Sequence, residues 1–88
     1  MNQVIKLSAT WCGPCKQYAP VFNEISSNHS DRWEVASFDI DTDEGRELSV
    51  THGIRSVPAT IFMEFGKDPK VVVGSMSSED LDGHLSFS

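Results

Sequence analysis

The chain has 88 residues, 39% of them hydrophobic and 23% charged. That leaves room for one small core and a single domain over residues 1–88. Thirteen acids against seven bases give a net charge of −6, which argues against the basic footprint of a nucleic-acid binder. No apolar run approaches the roughly 20 residues of a membrane span. The N-terminus also lacks the charged start and apolar stretch of a secretion signal.

Residues 3–8, QVIKLS, read as a strand with Ile5 and Leu7 on one face and Val4, Lys6 and Ser8 on the other. After ATWCGPC, apolar positions recur at Cys15, Tyr18, Ala19, Phe22 and Ile25. The spacing predicts an amphipathic helix from about Cys12 or Gly13 to about Asn28, with a kink at Pro20. Residues 34–40 form a second strand, drawn inward by Val35 and Ile40. Asp41 or Asp43 is the expected cap of a short helix that ends near Gly53. Residues 59–65 and 70–75 flank the turn GKDP and read as a hairpin. Ser77 opens a last helix that carries Leu81 and Leu85.

The order is β-α-β-α-β-β-α. Two strands joined by a helix run parallel through a right-handed crossover. The expected architecture is α/β: a four-stranded mixed sheet with helices on both faces.

The two cysteines, Cys12 and Cys15, enclose a loop too short for a bridge to constrain much of the unfolded chain. At the junction of a strand and a helix, Cys-x-x-Cys reads as a dithiol redox pair. Free backbone N–H groups and the helix dipole stabilise a thiolate there, and the thiolate is the species that attacks a disulfide. Cys12 is expected at the exposed end, with Cys15 one turn in. A structural zinc would need four ligands; His29, His52 and His84 do not have ligand spacing to the pair. The two cysteines themselves are then the redox group, with no metal.

Trp11-Cys12-Gly13-Pro14-Cys15 is similar, letter for letter, to the active-site pentapeptide of the thioredoxin family. Lys16 and Ala19-Pro20, Asp39-Ile40-Asp41, Gly53-Ile54-Arg55-Ser56-Val57-Pro58 and Gly74 also resemble that family's landmarks at its spacings. The resemblance extends from about residue 3 to 86. It implies a thioredoxin-like fold and a thiol–disulfide oxidoreductase that reduces protein disulfides. Cys12 is then the nucleophile and Cys15 the resolving thiol. Val57-Pro58 is then a cis peptide that presents backbone to an extended substrate. Trp11, Gly13, Pro14, Ile40, Val57 and Gly74 form the apolar rim. The resemblance further implies re-reduction by a thioredoxin reductase, ribonucleotide reductase among the clients, a monomer, and a cytoplasmic place (host cytoplasm for a viral chain).

Three positions depart from the family pattern. The chain starts at what is the family's central strand, so strand 34–40 is expected at an uncovered edge, protected by Glu34 and Asp39. Small thioredoxin-like and glutaredoxin-like proteins, viral and archaeal ones included, share this shortening. The family's buried Asp, six residues before the first cysteine, is Lys6, and its lysine partner is Ser37. The family's second Trp is Ser8. Lys6 is expected to reach water, to stay charged and to stabilise the Cys12 thiolate; the opposed reading is a buried amine acting as a base toward Cys15. Two other functions use the same frame: a disulfide isomerase or oxidant, separable by reduction potential, and a binding subunit that needs no thiols.

Overall fold

A computed structural model of the protein describes residues 2–86. The elements are β1 (Asn2–Ser8), α1 (Gly13–Ser27), β2 (Trp33–Asp39), α2 (Asp43–Thr51), β3 (Ala59–Met63), β4 (Lys70–Val73) and α3 (Ser78–Ser86). The sheet order is β2-β1-β3-β4. β1 pairs parallel with β2 and antiparallel with β3, and β3 pairs antiparallel with β4. The fold is thus the expected four-stranded mixed sheet with three helices.

Alternation along β1 splits the core in two. Val4 points into a cluster with Tyr18 and Phe22 of α1, Trp33, Phe62, and Leu81 and Leu85 of α3. Ile5 and Leu7 point the other way, toward Ile54, Ala59, Ile61 and, on α2, Leu48. Three buried polar side-chain groups are satisfied inside the first layer. The Trp33 indole N–H donates to the Leu85 carbonyl at 3.0 Å. The hydroxyls of Tyr18 and Thr60 meet at 2.8 Å. A buried polar group left unpaired costs far more than a bond made in place of water gains.

Several boundaries differ from expectation for local reasons. The hairpin strands each stop two residues early. β3 ends at Met63 because the Lys67 N–H turns back to the Glu64 carbonyl at 3.0 Å. β4 ends at Val73 because Gly74 takes φ +98°, outside the extended region. The cap of α2 is Thr42, not Asp41 or Asp43: its hydroxyl accepts the Gly45 N–H at 3.1 Å. Asp43 instead lies in the first turn, where its charge suits the helix dipole. On β2 the inward anchor is Trp33, while Val35 is 39% exposed. β2 is an edge strand among the described residues. Ser77 does cap α3, accepting the Asp80 N–H at 3.1 Å. α1 continues through the exposed Pro20 without a break.

Candidate active site

β1 delivers the chain to the start of α1, and the cysteine pair sits on that junction. Cys12 is the N-cap of α1, in extended conformation, with Gly13 and Pro14 in the first turn. Proline fits there because a first-turn N–H has no helical partner. Cys12 and Cys15 form a disulfide, with their Cα atoms 5.3 Å apart. The Cys15 backbone N–H points at the Cys12 sulfur from 3.2 Å. A cap is usually a hydroxyl or carboxylate oxygen; here a sulfur takes the place.

The expectation that Cys12 stands exposed is not met. Cys12 is 6% exposed and Cys15 3%. Ala9 is buried with the pair, and Ile40 and Val57 pack against it. The Val57 carbonyl oxygen lies 3.6 Å from the Cys12 sulfur. What separates the two cysteines is therefore their partners rather than their exposure. Cys12 receives a backbone N–H, whereas the Cys15 sulfur receives no hydrogen bond among the described residues.

The predicted rim assembles around the pair. Val57–Pro58 is cis. Gly74 is brought alongside by its N–H, which donates to the Pro58 carbonyl at 2.7 Å. Trp11 is 68% exposed, and its indole N–H donates to Asp41 at 3.2 Å. The sequence marks Asp41 as a candidate cap and as part of the Asp39-Ile40-Asp41 landmark, and neither reading points to its bond with Trp11. Gly13 and Pro14 are exposed beside Trp11. A Cβ at Gly13 would meet no other atom within 4 Å, so this corner is open space.

Lys6 does not reach the rim, and it is not the water-reaching lysine that was expected. It is 6% exposed, on the sheet face that α1 covers. Its ammonium lies 5.6 Å from the centre of the Phe22 ring, within cation–π range. Burial holds its pKa below the ordinary lysine value. A shallow cavity of about 180 Å³ joins Lys6 to Cys15, Lys16 and Asp39. Among the described residues no three metal-capable side chains gather, and no helix is long and apolar enough to cross a membrane.

The thioredoxin family model matches residues 1–86, across the whole of this arrangement. The chain belongs to the thioredoxin family. It is 36% identical to the thioredoxin of Alicyclobacillus acidocaldarius over 78 residues, 89% of this chain and 72% of that one. It is 37% identical to thioredoxin 1 of Synechococcus elongatus over 81 residues, 88% and 74% of the two chains. Among solved structures, the Malassezia sympodialis thioredoxin Mala s 13 is similar with a TM-score of 0.80 at 34% identity. That match covers 97% of this chain and 72% of the other. Thioredoxins are protein-disulfide oxidoreductases, and this chain is a thiol–disulfide oxidoreductase with its disulfide at Cys12–Cys15. Disulfide-bearing proteins and a reductase are the general classes of partner for such a thioredoxin.

Proposed function

We propose that this thioredoxin reduces protein disulfides, with Cys12 as the attacking sulfur and Cys15 as the resolving one. The reading rests on one observation: the Cys15 N–H aimed at the Cys12 sulfur at the head of α1. A charge on that sulfur is stabilised by the N–H and by the helix dipole. In the reduced protein the Cys12 thiolate attacks a substrate disulfide, and one substrate sulfur leaves as a thiolate. Cys15 then attacks the Cys12 sulfur, the second substrate sulfur leaves, and the Cys12–Cys15 bond remains. Two electrons pass to the substrate. The redox group in this reading is the cysteine pair itself.

The substrate segment docks on Trp11, Gly13, Pro14, Ile40, Val57, Pro58 and Gly74. Support comes from the half-buried Ile40 and Val57 against the sulfurs and from the large exposed ring of Trp11. An extended segment lying beside Val57 can pair with backbone while the apolar rim holds its side chains. A thioredoxin reductase returns the disulfide to dithiol. Ribonucleotide reductase is a client that family membership suggests. A reducing compartment suits a pair that must be recycled, and we place the protein in the cytoplasm.

The test is reduction of insulin disulfides, driven by a thioredoxin reductase and followed by turbidity. Precipitation that depends on both cysteines is the expected result. A Cys15→Ser variant should retain substrate as a mixed disulfide on Cys12. Crosslinking through Cys15 in the converse Cys12→Ser variant, with none in Cys15→Ser, reverses the assignment.

A further inference from the structure

Lys6 is the one charged side chain that is buried among the described residues. Such a cation normally has an anion beside it. Among the described residues no carboxylate pairs with Lys6 within 4 Å, unlike the carboxylates that pair with His29 and Lys67. Its Phe22 contact supplies only a ring face. The neighbouring Tyr18 and Thr60 hydroxyls are committed to each other. In the disulfide form, then, a lysine is held under α1 without a counter-charge.

The shallow cavity gives this cation an address. It is lined by Lys6, Cys15, Lys16 and Asp39, among others, and does not include Cys12. The two sulfurs are thus served unequally. Cys12 has the backbone N–H, while the charged groups that line this cavity with Cys15 are Lys6, Lys16 and Asp39. Lys16 is exposed and its charge is solvated. Asp39 opposes a negative charge on sulfur, and its Oδ1 already accepts the Asp41 N–H at 2.8 Å.

We infer that Lys6 is a positioning residue for the second half of the reaction: its ammonium stabilises Cys15 as a thiolate within the mixed disulfide. The inference rests on the assignment of Cys15 as the resolving sulfur. The Cys15 proton leaves to solvent through the cavity. The thiolate then attacks the Cys12 sulfur, forming the Cys12–Cys15 bond and breaking the Cys12–substrate bond. The departing substrate thiolate takes a proton from water. Lys6 gains its missing counter-charge at the moment the thiolate forms. Burial, which disfavours the lone cation, strengthens the attraction once both charges are present.

The experiment is single-turnover reaction of the reduced protein with 5,5′-dithiobis(2-nitrobenzoate). Attack by Cys12 releases a first coloured thiolate, and closure by Cys15 releases a second. The variants are Lys6→Met, which keeps the stem, and Lys6→Arg, which keeps the charge. Lys6→Met should raise the pH midpoint of the second phase by about one unit, a tenfold loss of thiolate at neutral pH. Higher nucleophilicity of the more basic thiolate returns part of this, leaving the phase about three- to fourfold slower. Lys6→Arg should restore the midpoint. Lys16→Met should move it less than Lys6→Met does.

An unchanged second-phase midpoint in folded Lys6→Met overturns the proposal. So does a shift confined to the first phase, which would assign Lys6 to Cys12 instead. A slowed second phase in Asp39→Asn, with none in Lys6→Met, hands the role to Asp39 as proton acceptor. Loss of the first phase from the unmodified protein strikes at the disulfide-exchange reading itself and is told apart on that ground.

Discussion

The indole N–H of Trp11 donates to the Asp41 carboxylate across 3.2 Å, joining the residue before the cysteine pair to the loop after β2. Trp11 is 68% exposed, so the bond holds a ring that packing alone does not. Removing it should alter recognition more than stability. Asp41→Ala should change the free energy of unfolding by less than about 0.5 kcal/mol, as surface substitutions usually do. The rate of insulin reduction should fall severalfold, because a mobile Trp11 pays ordering entropy on binding. Reduction of a small aromatic disulfide, which needs little of the rim, should hold. Equal losses on both substrates would mean that Asp41 acts on the sulfurs.

The Tyr18–Thr60 pair makes a cleaner case, because both residues are buried and bonded at 2.8 Å. Thr60→Val keeps the shape and removes the hydroxyl. The Tyr18 phenol then stays buried without its partner, at a cost of about 1–3 kcal/mol. Burial already pushes the Tyr18 pKa up, so ionisation offers no escape near neutral pH. Adding Tyr18→Phe should recover most of the loss. Urea denaturation of the two single variants and the double variant gives the coupling; additive losses would mean the hydroxyls act independently.

The element order, the parallel β1–β2 pair, the β3–β4 hairpin and the cysteine junction were legible because each rests on local periodicity or adjacent residues; the antiparallel β1–β3 pairing that fixes the sheet order was not. Alternation put Ile5 and Leu7 opposite Val4 and Lys6, and the structure keeps that division. The Pro58–Gly74 side of the rim was legible through the resemblance, not through periodicity. What failed depended on neighbours distant in sequence. Lys6 is enclosed by α1, and a strand pattern does not reveal how closely a helix will lie over a lysine. Asp41 and Trp11 are 30 positions apart. Asp41, Thr42 and Asp43 are all capable caps, and the docking of α2 on β2 decided among them. At the sheet edge, Val35 looked like core by residue type alone, but the strand's buried anchor is Trp33.

That docking makes Gly45 a critical position. It is buried in α2, and a Cβ there would run into the Asp39 backbone carbonyl. Backbone cannot step aside as a flexible side chain can. Gly45→Ala should therefore destabilise by about 1–3 kcal/mol, the usual range for overpacking. Gly83 in α3 provides the opposite case, since a Cβ there meets nothing within 4 Å. Gly83→Ala should stabilise by about 0.4–1 kcal/mol, by restricting the unfolded chain. Chemical denaturation of both variants tests the pair: loss at both positions would show that helix propensity is not what Gly83 lacks.

Stability should depend on pH through His84. Its ring stacks on Phe62, with centres 4.9 Å apart, and its Nδ1 faces the Lys70 ammonium at 3.4 Å. Burial first, then the Lys70 charge, hold its pKa below 6.5, while Asp80 pulls the other way. Glu64 and Glu79 line the same groove. The folded chain thus binds this proton less readily than the unfolded chain does. Between the lowered folded value and 6.5 the unfolded state carries more protons, so stability falls as pH falls through that window. The contribution is complete above 6.5 and gone below the folded value. His84→Phe keeps a ring against Phe62 and removes the titration. The urea midpoint of the unmodified protein should drop on acidification from pH 7 toward the carboxylate range, and the variant should hold level until the carboxylates begin to protonate. Parallel curves for the two proteins would place the acid sensitivity on another group.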